Sequence, residues 1–268
     1  MRRTKPCALS IAGLDPSGGA GVLADLRAFA AASVWGCGAV SLSTVQSTAG
    51  LRSSHPVPTP LLVAQIRELF AHENIRSVKI GALGSASNAR AVARWLGTLP
   101  RTVAVVLDPV ILPTRGRARL LDRDALRVVL AMLDRVTVVT PNALEAEALL
   151  GFPVVSLEDA ERAARARVSL GARAALVKGG HLRGGPARTT TDVLAIGSRT
   201  LRFRARRRSG DFHGTGCLLS SLVAGKLASA PRADERAIAS AVRFAKRTLA
   251  RGLAASVEIG DGLSVVPV

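Results

Sequence analysis

The sequence predicts an α/β fold, with residues 1–268 forming one domain around a mostly parallel, doubly wound sheet that carries helices on both faces. Two observations support this prediction. Short apolar runs without in–out alternation recur along the chain, which is typical of strands buried on both faces. Longer amphipathic segments separate these runs, as crossover helices separate parallel strands. No internal repeat, low-complexity linker or break in composition divides the chain.

Each element can be placed on the sequence in turn. The buried strands are predicted at 7–12, 38–43, 77–80, 103–107, 136–139 and 174–177. Amphipathic helices are predicted at 22–32, 60–71, 88–96, 123–133, 143–150 and 157–170. Two polar-flanked strands, 192–196 and 200–204, predict a hairpin at an edge, and two long helices, about 216–228 and 232–255, follow. In such a sheet ligands bind at the carboxyl ends of the strands.

Composition excludes several classes of protein. With 268 residues, 48% hydrophobic and 21% charged, the chain is long and apolar enough to bury a core and is not a disordered polymer. No apolar run approaches the roughly 18–20 residues of a membrane span. The basic start, residues 1–5, is followed by an apolar stretch too short for a signal peptide, so we expect a cytoplasmic protein. Three cysteines, an odd number without metal-like spacing, imply neither a disulfide framework nor a zinc site.

The net charge of +18 raises the question of an anionic partner. The basic residues are spread along the chain, and the one dense run is Arg202, Arg204, Arg206, Arg207 and Arg208, in a segment that alternates like an exposed strand. Solvated charge, attraction of an anionic ligand and a nucleic-acid site are the three interpretations. Aromatic residues for base stacking are scarce, with no Tyr, two Trp and six Phe, so we expect no nucleic-acid partner.

A glycine-rich segment, residues 13–21, follows the first predicted strand and opens a helix. Glycines permit a close approach of ligand to backbone, and a helix start offers free N–H groups. The segment has neither the Gly-Lys-Ser/Thr of a phosphate-binding P-loop nor the glycine spacing of a dinucleotide site. The alternative is a strand-to-helix turn capped by Asp15 or Ser17.

Two further clusters of polar residues follow predicted strands. Asp108 follows a buried strand and is fixed by Pro109. Residues that hold Mg²⁺ beside a phosphate often lie at such a position, although a turn-initiating Asp-Pro is an alternative. Asn142 and Glu145 are three residues apart, so they share one helical face and can point at a metal or a phosphate. The alternative for this pair is a helix cap with Glu in the capping-box position.

The segment from Asp211 to Cys217 carries the strongest signal for chemistry. Its Gly214-Thr215-Gly216 turn leads into an apolar helix, so backbone N–H groups can form an anion hole for a transferring phosphoryl group. A cysteine at a helix start is expected to have a lowered pKa, which suits a proton acceptor. The alternatives are a small core residue for Cys217 and a surface loop residue for His213. Cys7 and Cys37, on apolar strands, are assigned to the core.

Together these segments resemble the hydroxymethylpyrimidine/phosphomethylpyrimidine kinases of thiamine biosynthesis, in the ribokinase superfamily. The matching pieces run in order over most of the chain, at residues 10–13, 15–21, 24–26, 46–48, 78–81, 107–110, 140–142, 177–181 and 213–217. The late Gly-Thr-Gly-Cys separates this branch from sugar kinases, in which Asp normally replaces the Cys. The resemblance implies a ribokinase-like three-layer α/β/α sandwich.

The resemblance also implies an activity and a role for each matching residue. The activity is ATP- and Mg²⁺-dependent phosphorylation of a pyrimidine hydroxymethyl group and then of the resulting monophosphate. Cys217 would be the base, with Gly214, Thr215 and Gly216 as the anion hole; the substrate would contact Gln46, Gly13, Asp15, Ala20, Ala82 and Val110; Asn142, Lys178 and His213 would contact the nucleotide; Asp108 and Glu145 would arrange Mg²⁺. We expect a small-molecule partner, no membrane, and a homodimer.

The chain departs from the family pattern in three places. Thr114-Arg115-Gly116-Arg117 stands where a Lys-Ser-Gly-Asp-like loop is usual, and Gly210-Asp211-Phe212-His213 where Lys-Asn-Thr-His is usual. Ala82 replaces a Met, which predicts a larger pyrimidine pocket. These departures keep two alternatives open, namely a pyridoxal or pyridoxine kinase and a non-catalytic descendant that binds a ligand or nucleic acid.

Overall fold

In the computed structural model, which describes residues 4–111, 123–182 and 188–268, nine strands form one sheet. The strands are β1 (Cys7–Leu14), β2 (Trp35–Ser47), β3 (Gly50–Pro56), β4 (Ile75–Ile80), β5 (Ala104–Leu107), β6 (Val138–Val139), β7 (Ala174–Val177), β8 (Thr189–Ile196) and β9 (Arg199–Arg206). The helices are α1 (Gly21–Ala31), α2 (Thr59–His72), α3 (Ala86–Thr98), α4 (Arg123–Ala131), α5 (Ala143–Leu150), α6 (Leu157–Ser169), α7 (Thr215–Ala228) and α8 (Glu235–Ala254).

The sheet is parallel at its centre and antiparallel at both ends. Its strand order is β3-β2-β1-β4-β5-β6-β7-β8-β9. The central strands from β2 to β7 pair in parallel, whereas β3, β8 and β9 pair antiparallel. The predicted α/β class with a mostly parallel sheet is therefore confirmed, and the predicted edge hairpin is β8–β9.

The core lies in two layers, one on each face of the sheet. One layer packs α1, α7 and α8 against residues such as Val106 and Leu176, and the other packs α2 to α6 against residues such as Val105 and Val177. Neighbouring residues of one strand thus enter opposite layers, as the period of two requires. This confirms the three-layer sandwich. None of the helices in the described ranges is long and apolar enough to cross a membrane.

The main error in the predicted elements concerns β2 and β3. The structure extends β2 well beyond the predicted 38–43 and turns it back as β3, which was not predicted. The β3 sequence, Gly-Leu-Arg-Ser-Ser-His-Pro, is polar and mostly outside the core, so it carries no apolar pattern. β3 forms because the backbone of β2 pairs with it, not because its own side chains favour a strand. The extension matters because it carries Gln46 to the site.

Candidate active site

A cavity of about 710 Å³ runs along the carboxyl ends of the central strands. Every site residue predicted from the sequence lines it: Gly13, Asp15, Ala20, Gln46, Ala82, Asp108, Val110, Asn142, Glu145, Lys178, His213, Gly214, Thr215, Gly216 and Cys217. These residues come from the ends of separate strands and from the start of α7. The fold therefore brings them together where a parallel sheet is expected to place its ligand.

The start of α7 has the geometry of an anion hole. Gly214 precedes the helix in the left-handed conformation, with φ of 69°. The N–H groups of Thr215, Gly216 and Cys217 donate to no acceptor in the described part of the chain and belong to the first helical turn. Because the helix dipole adds positive potential at this end, the turn can stabilise negative charge on a phosphoryl group.

The Cys217 thiol lines the cavity, but its predicted acidity is wrong. Burial raises the pKa of this thiol, the carboxylates of Asp108 and Asp25 add to the shift, and the Lys79 ammonium opposes it; together they place the pKa at about 11. The helix start alone does not lower the pKa, since burial and two nearby acids outweigh it. Cys7 and Cys37 are buried in the core, as predicted.

Asp108 and Lys178 form the charged pair opposite the anion hole. Lys178 Nζ lies 2.9 Å from Asp108 Oδ1 and 3.7 Å from Glu145 Oε2. Ser220 on α7 donates a hydrogen bond to Asp108 Oδ2 at 3.2 Å, which joins the pair to the helix of the anion hole. Burial opposes ionisation of Asp108, but the ammonium groups of Lys178 and Lys79 outweigh it and hold the pKa of this carboxyl below its usual value.

Asn142 and Glu145 form a complete capping box, so that alternative is confirmed; both also line the cavity, and their role toward a metal or a phosphate stays a prediction. The Glu145 N–H donates to Asn142 Oδ1, and the Asn142 N–H donates to Glu145 Oε2, each at 2.8 Å. Burial raises the pKa of Glu145 to about 6, with Lys178 opposing the shift and Asp108 adding to it.

The carboxylates of Asp108 and Glu145 are the groups suited to a divalent cation at this end of the cavity. Both approach the same ammonium, so they face one region of the site. Two carboxylates fit the way Mg²⁺ is usually held, through one or two acids with phosphate oxygens and water completing the shell. Within the described residues there is no cluster of three or more His, Cys, Asp or Glu side chains that could hold a metal unaided.

The first glycine-rich loop is closed by its own acid. Asp15 Oδ1 accepts from the Ser17 N–H at 3.0 Å and hydroxyl at 2.8 Å, and Oδ2 accepts from the Ala20 N–H at 3.0 Å. The Gly18 N–H donates to the Asp15 carbonyl, and the Gly19 N–H to the Ser17 hydroxyl. The N–H groups of residues 17–20 are therefore occupied, which supports the alternative of a turn held by Asp15 and Ser17. The start of α1 itself has no side-chain cap, so free N–H groups at that helix start stay a prediction.

His213 lies with the residues predicted for the substrate rather than with those predicted for the nucleotide. Its Nε2 is 2.7 Å from Asp15 Oδ2 and 3.3 Å from the Gln46 side-chain nitrogen, and the side chain is only 5% exposed. Within the residues described, Nδ1 has no hydrogen-bond partner. The alternative of a surface loop residue is wrong. A Cβ on Gly19 would overlap the imidazole, so the two loops fit each other closely.

The pocket beside Gln46 is shaped by β1, β2 and the turn after β4. The Ser41 hydroxyl donates to the Ala82 carbonyl at 2.6 Å, which fixes the backbone where the family usually has Met. A Cβ on Gly13 would lie 2.9 Å from Leu42 Cδ2, so glycine allows the two strands to approach. The predicted enlargement of the pocket at Ala82 stays a prediction.

The structure adds Lys79, which reaches the cavity from β4 and had no predicted role. Arg206, Arg207 and Arg208, from the dense basic run, also line the cavity at the end of β9, a position compatible with attraction of an anionic ligand. The sequence does contain a signal for a functional role of Lys79, because this residue is the single charge at the otherwise apolar end of β4. The departure at Thr114–Arg117 lies outside the described residues.

Phe212 does not fill the anion hole. Its ring is half-buried and packs against the core layer of α7 and α8, while its backbone pairs with Ser264 near the C-terminus. The cavity still reaches Gly214 and Gly216. A benzyl ring in place of the usual Thr therefore leaves the anion hole open.

Comparison with known proteins identifies relatives of this chain. The family model of phosphomethylpyrimidine kinase matches residues 15–267. The hydroxymethylpyrimidine/phosphomethylpyrimidine kinase of Aquifex aeolicus is 34% identical over 97% of this chain and 98% of its own length. The thiamine biosynthesis multifunctional protein ThiED of Corynebacterium efficiens is 37% identical over 97% of this chain, which spans only 35% of that longer protein.

A solved structure supports the fold. The ADP complex of Bacillus subtilis pyridoxal kinase superposes with a TM-score of 0.85 over 98% of this chain and 97% of that chain, at 24% sequence identity. At that identity the likeness concerns the fold alone. The match of the family model over residues 15–267, together with the full-length Aquifex relative, places this chain in the phosphomethylpyrimidine kinase family.

Proposed function

We propose that this protein is a kinase that uses Mg·ATP to phosphorylate 4-amino-5-hydroxymethyl-2-methylpyrimidine and then its monophosphate, giving the diphosphate for thiamine synthesis. One observation carries the proposal: the open N–H groups at the start of α7 face the same cavity as the Asp108–Lys178 pair and the Gln46 pocket. A phosphoryl group and a small aromatic alcohol can therefore meet there in a chain of this family.

Positioning and charge neutralisation account for most of the catalysis of phosphoryl transfer. The N–H groups of Thr215, Gly216 and Cys217 would stabilise the charge that builds on the transferring group. Lys178 and Asn142 would hold the nucleotide phosphates from the opposite side. A Mg²⁺ ion held by Asp108 and Glu145, directly or through water, would neutralise further phosphate charge.

Cys217 would accept the proton of the substrate hydroxyl as the new O–P bond forms. Its thiol lies at the tip of α7, beside the anion hole. A pKa of about 11 leaves few thiolates at neutral pH, so the acceptor is a strong base present at low population.

The pyrimidine would bind between Gln46 and Val110. A side-chain amide can both donate to a ring nitrogen and accept from an exocyclic amino group. His213 lies within hydrogen-bond distance of both that amide and Asp15, and the backbone at Gly13 and Ala82 forms the walls of the pocket.

A substrate panel tests the proposal. The wild-type protein and Cys217→Ala are incubated with Mg·ATP and, separately, with the pyrimidine alcohol, its monophosphate, pyridoxal and pyridoxine, and ADP release is measured. We expect kcat/KM to be highest for the two pyrimidines. Faster turnover of pyridoxal or pyridoxine would instead assign the vitamin-kinase alternative, and no ADP with any substrate would exclude a kinase acting on these compounds.

The cytoplasmic location and the homodimer stay predictions. Size-exclusion chromatography with light scattering tests the second, because a mass near the 27.8 kDa of one chain would contradict it.

A further inference from the structure

A fully buried ion pair lies beneath the proposed site, and the mechanism above does not use it. Lys79 Nζ is 2.8 Å from Asp25 Oδ2, and neither side chain is exposed. The hydroxyls of Ser10 and Ser221 donate to the same carboxylate at 2.5 and 2.6 Å. Burying two charges costs several kcal/mol each before their attraction is counted, so apolar residues would serve packing as well or better.

The pair lies one helical turn from the Cys217 thiol. Helices α1 and α7 pack through residues spaced four apart, so their contacts recur at each turn. The Gly21 N–H faces the Cys217 thiol, and four residues further along each helix Ser221 donates to Asp25. One turn of helix rises about 5.4 Å, so the Asp25–Ser221 contact lies about one turn along α7 from the Cys217 contact.

The positive end of the pair faces the chemistry. Lys79 lines the cavity, whereas Asp25 does not line it within the described part of the chain. The two serine hydroxyls donate to the Asp25 carboxylate and so fix its orientation toward Lys79. A Cβ on Gly81 would lie 2.9 Å from Lys79 Nζ, so glycine leaves the room that the ammonium occupies.

We propose that Lys79, oriented by Asp25, is a positioning residue whose buried positive charge stabilises the Cys217 thiolate at the tip of α7. The proposal rests on the proposed function for its catalytic meaning. In the reaction the thiolate takes the hydroxyl proton, the substrate oxygen bonds to the γ-phosphorus, and the bond to the ADP oxygen breaks. The thiol returns its proton to water after product release. Lys79 transfers no proton and acts only through its charge.

Four charged groups act on this thiol, and they do not all act in the same direction. Lys79 on β4 and Lys178 after β7 favour the thiolate, whereas Asp25 on α1 and Asp108 after β5 oppose it. Among these charges Lys79 has the largest effect on the pKa of Cys217. Since Asp108 and Lys178 are paired with each other, removing Lys79 should shift the balance toward the thiol.

The test compares the wild type, in which the buried pair is intact, with the double variant Lys79→Met/Asp25→Asn, which removes both charges and so leaves no unpaired charge in the core. The rate of iodoacetamide alkylation of Cys217 is followed at pH 7 to 9 by mass spectrometry of the peptide that carries it, and the pH profile of kcat is recorded in parallel. Well below the pKa the alkylation rate is proportional to the thiolate fraction.

Of the two charges removed, Lys79 has the larger effect on the Cys217 thiol, so we expect the double variant to be alkylated several-fold more slowly than the wild type. The acid-side limb of the kcat profile should move to higher pH in the double variant, as a higher pKa of the thiol requires. A merely structural defect would expose the thiol to water and lower its pKa, so it cannot produce slower alkylation. Ser77→Ala, which removes a buried hydrogen bond from β4 to the Ala224 carbonyl on α7, is the neutral control and should leave the rate unchanged.

Equal alkylation rates in the wild type and the double variant would overturn the proposal, as would slowing of the same size in Ser77→Ala. Lys79→Gln with Asp25→Asn provides the same comparison if the Met variant does not fold. Alkylation needs no substrate, so the electrostatic result stands or fails separately from the proposed function. Several-fold slower alkylation in the double variant, with no ADP release by the wild type, would support the role of Lys79 and reject the kinase.

Discussion

Two glycine-rich turns lead into helices at the same end of the sheet, yet they present opposite surfaces to a ligand. In the turn of residues 13–21, the side chains of Asp15 and Ser17 accept the N–H groups of the turn itself. In the turn of residues 210–217, no side chain of the described residues accepts the N–H groups at the start of α7. Both turns carry glycines with positive φ.

The difference shows what decides the use of a glycine-rich turn. Glycine allows the backbone to bend in both turns. In the turn of residues 13–21, however, side-chain acceptors already bind the N–H groups that an anion would need. The closed turn thus becomes a wall of the substrate pocket, and the open one can become the anion hole. The two are also packed together, since a Cβ on Gly214 would overlap the Gly19 carbonyl oxygen.

The largest expected effect comes from the open turn. Cys217→Ala should lower kcat by about 10²- to 10⁴-fold, because a proton acceptor is lost while the N–H groups remain. ADP release at saturating substrates measures it, and Cys7→Ala, a change in a core strand, should stay near wild-type turnover. Near-normal turnover in Cys217→Ala would mean that the hydroxyl proton leaves by another route.

The contact between the turns can be broken at Gly214. Gly214→Ala should lower kcat/KM by about 10²-fold, since the added carbon forces the anion hole away from Gly19 and small misplacements are costly. Gly151→Ala is the matched control: it has nearly the same φ, 77° against 69°, with nothing within 4 Å of the added carbon. It should cost about 1–2 kcal/mol of stability and leave kcat/KM unchanged. Equal kinetic losses in both variants would attribute the effect to backbone strain alone.

From the hydrogen bonds of Asp15 in the closed turn we predict that the stability of the protein depends on pH. Burial opposes ionisation of Asp15, but hydrogen bonds from His213 and Ser17 outweigh it and lower the pKa of this carboxyl below its usual value. The stabilisation is therefore present above the unfolded pKa of about 3.9 and is lost as pH falls through the folded pKa. Asp15→Asn should lower the Tm by roughly 5 °C at pH 7, and the difference should shrink toward pH 3.

Thermal unfolding at pH 7, 5, 4 and 3 measures this convergence. Asp234→Asn, which replaces an exposed cap of α8 by another good cap residue, should follow the wild type at every pH. A difference between Asp15→Asn and wild type that stays constant with pH would contradict a charge-based role.

The smallest effect concerns the opposite wall of the cavity. With a pKa of about 6, Glu145 gains a proton as pH falls from 7.5 to 5.5 and loses its attraction for a cation. The KM for Mg·ATP should rise several-fold over that range in the wild type and stay nearly flat in Glu145→Gln. Gln is also accepted at this capping-box position, so α5 should keep its start. Parallel profiles in the two proteins would place the titration elsewhere.

Apolar periodicity predicted the layers of the fold, and the carboxyl-end rule predicted the clusters at Asp108, Asn142 and Cys217, because both depend only on residue order. The lining positions Gln46, Ala82, Val110 and Lys178 came from the family resemblance instead. The sequence failed where an outcome depends on three-dimensional neighbours. The acidity of Cys217 is set by burial and by acids from other elements, and the partners of His213 lie nearly 200 residues away at Asp15 and 167 residues away at Gln46. β3 was missed because its pairing belongs to β2.

The arginine-rich strand β9 forms one open edge of the sheet. Its exposed positions alternate, with Arg202 and Arg204 exposed and Phe203 packed toward the core; Arg202 pairs with Glu161, and Arg206 lines the cavity. An unprotected edge can recruit the edge of another molecule and start aggregation, and charged side chains on an edge strand oppose such pairing. The exposed guanidinium of Arg204 therefore makes this edge a poor partner for a second copy of the chain.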